Sequence, residues 1–180
     1  NTGTVVDSLD GTGGVLNFNS TAYTSGYYYV IANVNNGTGN CNFYMNGAIN
    51  LIIYPSPTVY TVTGGGSFCS GGSGVSIGLN NSRTGTVYQL YNGGVPTGIS
   101  QNGTNNVALS FNNITTAGTY TIVATIVSTG CTAVMTGSVV VTVFTTPTAY
   151  AISAGSTSFC SGSSTNITVA NSQTNTRYIL

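Results

Sequence analysis

The sequence predicts an all-β chain built from tandem antiparallel β-sandwich modules of about 90 residues each. Three observations carry this expectation. Val, Ile, Thr, Tyr and Phe dominate, with period-two alternation and no helical periodicity. Asn/Gly/Ser turn signals recur between the apolar runs. The chain also nearly repeats itself: Pro57-Thr58-Val59-Tyr60 returns as Pro147-Thr148-Ala149-Tyr150, and Cys41, Met45 and Gly47 return as Cys131, Met135 and Gly137, each at a spacing of 90.

The repeat divides the chain into the later part of one module (1–56), a complete module (57–146) and the start of a third (147–180). Tyr54-Pro55-Ser56-Pro57 and Phe144-Thr145-Thr146-Pro147 mark the junctions, since proline removes a ladder donor and ends strand pairing. Within 57–146, strands are expected near Thr58–Thr63, Gly74–Leu79, Thr86–Tyr91, Asn106–Phe111, Gly118–Val127 and Thr132–Phe144, with a short one around Val95–Ile99. Asn80-Asn81-Ser82, Asn92-Gly93-Gly94, Asn102-Gly103 and Ser128-Thr129-Gly130 separate them. So many short strands in one such module argue for a sandwich with Greek-key connections. Phe68, Phe111 and Tyr120 are the expected core aromatics. The turn in 33–40 is two residues longer than its counterpart in 125–130, as loop tips tolerate. The phase of the repeat predicts a window on a longer thread.

Composition narrows the function. Asp7, Asp10, Arg83 and Arg177 are the only charged side chains, and Lys, Glu, His and Trp are absent. General acid–base catalysis draws mainly on His, Asp, Glu and Lys, of which only Asp7 and Asp10 are available, so the expectation is no enzyme, no cofactor and no metal. A net charge of zero offers no electrostatic grip on nucleic acid. No apolar run approaches the roughly 20 residues of a membrane-spanning helix. Isopeptide cross-links, which need Lys, are unavailable to the complete module. Disorder is not expected, because 41% of residues are hydrophobic.

The cysteines follow the repeat. Each module has one early and one late cysteine, and the complete module holds Cys69 and Cys131. We expect these two to pair, closing a 62-residue loop worth about 4 kcal/mol in chain entropy. Cys41 and Cys160 then look for partners outside the window, and disulfides imply an oxidising compartment. Two thiols without His cannot complete a tetrahedral zinc shell.

Phe68-Cys69-Ser70-Gly71-Gly72-Ser73-Gly74-Val75, Tyr88-Gln89-Leu90-Tyr91, Leu109-Ser110-Phe111, Thr116-Ala117-Gly118-Thr119-Tyr120-Thr121 and Thr129-Gly130-Cys131 together resemble the Ig-like tandem repeats of giant Bacteroidetes surface proteins. These are the repeat regions of gliding-motility adhesins and related type IX-secreted proteins. The resemblance covers the window, once fully and twice in part. It implies an extracellular location on the bacterial cell surface, many modules, disulfide-tied Ig-like sandwiches and no catalytic residue. Gly118 followed by Tyr120, matched by Gly26 and Tyr28, resembles the tyrosine corner of such domains.

Two stretches invite a more specific reading. Asp7-Ser8-Leu9 resembles the O-glycosylation acceptor of that lineage, making Ser8 a candidate; a polar turn, or a calcium loop lacking most of its acids, are the competing readings. Tyr27 and Tyr29 share a strand face opposite Tyr28, as a surface-contact pair or as cross-strand packing. The Asn-x-Ser/Thr sequons are expected to be silent. The expected function is a structural or adhesive segment of a long surface thread, acting as spacer and multivalent contact in adhesion, gliding or biofilm. Its partners are neighbouring repeats, other copies or surface polysaccharide. The alternatives are a subunit of a bundled or polymeric filament, and a carbohydrate-binding module array attached to an enzyme.

Overall fold

A computed structural model describes residues 4–19, 23–35 and 40–180. The chain divides into two compact units, Asn1–Pro55 and Ser56–Leu180. Every regular element among the described residues is a β-strand. The first unit holds β1 (Gly26–Tyr28), β2 (Ile31–Asn35), β3 (Asn40–Tyr44) and β4 (Ile49–Leu51). They form two antiparallel pairs, β1 with β4 and β2 with β3. The tip of the β2–β3 turn, where the two-residue insertion is expected, lies outside the described residues.

The second unit runs through β5 (Val62–Gly64), β6 (Gly66–Cys69), β7 (Val75–Leu79), β8 (Thr86–Asn92), β9 (Val95–Asn102), β10 (Leu109–Ile114), β11 (Gly118–Ile126), β12 (Thr132–Val134) and β13 (Val139–Phe144), then β14 (Ile152–Ala154) and β15 (Ile167–Val169). One sheet has the order β10-β7-β5. The other has the order β6-β13-β11-β8-β9, with β12 also on β11. All these pairings are antiparallel except β6 with β13.

The alternation along the strands explains why two sheets form. In β8 the burial pattern puts Thr86, Tyr88 and Leu90 inward; in β11 it puts Tyr120, Ile122 and Ala124 inward. The three-stranded sheet answers with Val62, Ile77, Leu79, Phe111 and Ile114, and Met135 and Val141 complete one buried cluster. Each sheet turns a closely packed apolar face inward, and each face covers the other. The arrangement is all-β and consistent with a β-sandwich. Phe111 and Tyr120 are in the core as expected, whereas Phe68 is only partly buried at its margin.

Two elements differ from the sequence expectation. The strand β6 hides behind Gly64-Gly65-Gly66, which reads as a turn. These glycines carry the chain from one sheet to the other at positive φ. A Cβ on Gly65 meets Val139 Cβ and the Val140 carbonyl at 2.9 Å, so nothing larger fits. The long final strand is split into β12 and β13 around Gly137, whose φ is 98° in its counterpart Gly47 and 86° here.

The chain enters and leaves this body at opposite poles. Arg83 Nη1 donates to Thr58 Oγ1 at 3.5 Å, and Val127 N donates to the nearby Gly85 carbonyl, so entry lies by the far end of β11. Exit at Phe144 lies three residues beyond Val141, which pairs with Gly118 at the start of β11.

Buried hydroxyls brace the ends. Tyr120 donates to the Thr116 carbonyl at 2.8 Å, and Tyr88 accepts from Arg83 N at 3.1 Å. Burial pushes both phenols above their ordinary value. At Tyr88 the Arg83 backbone hydrogen bond partly offsets this, and at Tyr120 side-chain hydrogen bonding with Thr116 and Asn92 does. A raised folded-state pKa means that the neutral phenol's contribution is fully present below the unfolded value near 10 and is lost as pH rises from there through the higher folded-state value. The urea midpoint should therefore hold between about pH 6 and 9 and fall above about 10; Tyr88→Phe/Tyr120→Phe should flatten that fall, and an equal fall in the double variant would refute the assignment. Ile122→Ala, at a fully buried site, should cost about 2–5 kcal/mol in the same titration.

Candidate functional site

The structure locates every sequence-predicted site residue, and the cysteines are the first correction. No disulfide is present among the described residues. Topology explains why Cys69 and Cys131 do not meet. Cys69 ends β6 opposite Phe144, at the exit pole. The Cys131 carbonyl accepts from Ile126 N at 2.9 Å, at the far end of β11. The nine residues of β11 separate these levels, about 27 Å at roughly 3.3 Å per residue. A disulfide needs Cα atoms within about 7 Å, so the expected Cys69–Cys131 bridge is overturned for this fold. The spacing of the repeat pointed to one cysteine pair per module; only the topology puts the two at opposite poles. Cys41 lies on β3 opposite Val34, and Cys160 lies in the loop between β14 and β15; both are exposed.

The aromatic candidates lie on the first unit. Tyr28 both accepts from Thr24 N at 2.8 Å and donates to the Thr24 carbonyl at 2.7 Å, and its ring meets Tyr23 edge-on at 5.2 Å. That hydroxyl repeats the Tyr120–Thr116 bond of the complete module. Tyr27 projects to the other side and is 76% exposed. Tyr29 is half-exposed and tilts against Tyr44, with ring centroids 5.4 Å apart. Tyr44 is the residue that sequence reasoning missed. Its signal was available in the β2–β3 hairpin, whose register sets Tyr44 opposite Ile31, beside Tyr29. The result is an outward aromatic patch of Tyr27, Tyr29 and Tyr44 where the complete module carries Thr119, Thr121 and Val134.

Ser8 is exposed, and its amide donates to Asp7 Oδ1 at 2.8 Å. That bond joins adjacent residues in a stretch without regular structure, so the expected polar turn is not formed at residues 7–10. Among the described residues, no three His, Cys, Asp or Glu side chains gather in one place. A shallow concavity in the second unit is lined by Asn92, Thr97, Ile99, Asn113 and Thr116, and another by Thr145, Pro147, Ser172, Gln173 and Thr176. Their linings are neutral hydroxyls, amides and apolar groups.

No family model, curated protein or solved structure matches the chain. The geometry therefore carries the functional argument. Peptide mapping of the non-reduced chain should find no Cys69–Cys131 linked fragment, and an alkylating reagent should label exposed Cys69 without denaturant; a recovered 69–131 bridge would reverse the pole assignment.

Proposed function

We propose that this chain is a structural and adhesive segment of a secreted cell-surface repeat protein, made of Ig-like sandwich modules that set reach and sum many weak contacts. The observation that carries the reading is the identity of pairing registers across the repeat. Gly26↔Leu51, Tyr27↔Asn50 and Tyr28↔Ile49 reproduce Gly118↔Val141, Thr119↔Val140 and Tyr120↔Val139. Ile152↔Val169 and Ala154↔Ile167 reproduce Val62↔Leu79 and Gly64↔Ile77. Two different strand pairs of residues 57–146 thus each recur once elsewhere in the chain.

The Ig-like assignment draws on the sheet order, on the tyrosine hydroxyl that reaches back four residues before β11, and on the first strand that splits between the two sheets. Entry and exit at opposite poles suit a thread, because each module then adds its length to the reach. Chain ends at one pole would fold a tandem array back on itself. Four charged side chains in 180 residues leave little for salt to screen, so contacts of such a surface persist at high ionic strength. An outer bacterial surface and a type IX export route complete the proposal, on the strength of the sequence resemblance.

The Tyr27, Tyr29 and Tyr44 patch favours a second reading, in which the module face stacks on sugar rings of a surface polysaccharide.

Pulling the chain by its ends should give one unfolding event for residues 57–146, lengthening it by about 300 Å at roughly 3.5 Å per residue. Smooth extension without that event would sink the spacer reading. Tyr27→Ala/Tyr44→Ala should abolish retention on polysaccharide-coated beads if the sugar reading holds, and unchanged retention removes it.

A further inference from the structure

We propose that the outward face of the first unit binds a neutral, unbranched polysaccharide whose pyranose rings carry equatorial substituents, as a β-1,4-linked glucan does. The inference rests on the sugar reading of the Tyr27, Tyr29 and Tyr44 patch and names the class of glycan.

The patch belongs to the outer face of the sheet. Its positions correspond to Thr119, Thr121 and Val134 of residues 57–146, where β11 lies between β8 and β13. Thr119 is exposed there, and Val134 is 63% exposed. Openness at these positions therefore persists in a body whose strands have neighbours on both sides. The difference lies in the side chains: three phenol rings stand where the complete module has two threonines and a valine.

Cross-strand partners extend the same face with amides. Asn50 stands opposite Tyr27 across β1 and β4, and Asn33 opposite Asn42 across β2 and β3. Directly opposed side chains share a face. Asn33 Nδ2 donates to Asn42 Oδ1, and all three amides are exposed. That bond uses one N–H and one lone pair, so donors and acceptors remain for a ligand. Tyr27 and Asn33 are six residues apart, about 20 Å at roughly 3.3 Å per residue. A platform of that length suits a chain of sugars rather than one ring.

The chemistry of the face selects the glycan. A pyranose with equatorial substituents presents only C–H bonds on its ring faces, which stack on a phenol ring. Its hydroxyls lie at the rim, where amides can meet them. An axial hydroxyl would bring a polar oxygen onto the aromatic surface without a partner. Residues 23–55 contain no charged side chain. A uronate or sulfated glycan would therefore lose hydration with no cation to replace it.

The test is calorimetric titration of the 180-residue chain with cellohexaose. A Kd of about 0.1–1 mM is expected from a few stacked rings, with little change between low and high salt. Tyr44→Ala should weaken it about tenfold or more, and Tyr44→Phe should not, because the ring does the stacking. A gain of binding makes the result independent of the stability of the first unit. In a Tyr27→Ala/Tyr29→Ala/Tyr44→Ala chain, Thr119→Tyr/Thr121→Tyr/Val134→Tyr should restore binding on the 57–146 body. Affinity that survives Tyr44→Ala, or a silent graft, would overturn the platform. Equal binding of β-1,4-mannohexaose, with an axial hydroxyl on each ring, or of oligogalacturonate, with its carboxylates, would overturn the glycan class and leave the sugar reading standing. Silence toward all three sugars removes both. Self-association abolished by Tyr44→Ala, without sugar binding, would instead assign the patch to a second copy of the chain.

Discussion

The pairing of β8 with β11 is the constraint on which the rest of this structure depends. Seven register pairs join the two strands, from Tyr120↔Asn92 to Ile126↔Thr86. They sit at the middle of the larger sheet and supply Tyr88, Leu90, Tyr120, Ile122 and Ala124 to the core. A one-residue slip would turn every one of these side chains to solvent. The two tyrosines make such a slip costlier still. Each hydroxyl is anchored, Tyr88 to Arg83 and Tyr120 to Thr116, and a displaced ring would leave a buried phenol without its partner.

The segments on either side of residues 57–146 share local geometry with that body. Local registers in the flanks match those of 57–146, as do local bonds: Tyr178 accepts from Gln173 N as Tyr88 does from Arg83 N, and Met45 N donates to Val30 as Met135 N does to Ile122. Hairpin geometry therefore needs only the nearby sequence. Burial differs: Val30 is 43% exposed where Ile122 is 0%, and Met45 is 41% exposed where Met135 is 2%. The aromatic patch and the bare core positions of the first unit are distinct. Tyr27, Tyr29 and Tyr44 occupy positions that face solvent in the complete module too, whereas Val30 and Met45 occupy positions that do not.

Much of the fold was legible in the sequence, and the exceptions have physical causes. Apolar alternation marked β7, β8, β10 and β11, and Asn80-Asn81-Ser82, Asn92-Gly93-Gly94 and Ser128-Thr129-Gly130 marked the ends of β7, β8 and β11. The strand Gly66–Cys69 was illegible because its glycines serve a sheet crossing rather than a turn, a distinction set by Val139 and Val140 far along the chain. The tyrosine hydroxyl bonds were legible from Gly118 and Tyr120 because they are local. Tyr44 was missed because its partner Tyr29 is a neighbour only across the hairpin.

By itself the sequence determined the all-β class, the 90-residue period, the scarcity of charge and the alternation that assigns inward faces. These follow from side-chain chemistry and short-range geometry, which a linear chain states directly. Only the tertiary structure decided where the cysteines lie. Cys69 and Cys131 lie within one 90-residue period of the sequence, yet the parallel pairing of β6 with β13 carries one to the exit pole while the β11–β12 turn holds the other at entry. Membership of a module is a property of sequence spacing. Proximity is a property of strand direction, and direction is fixed only when the sheets assemble around their shared core.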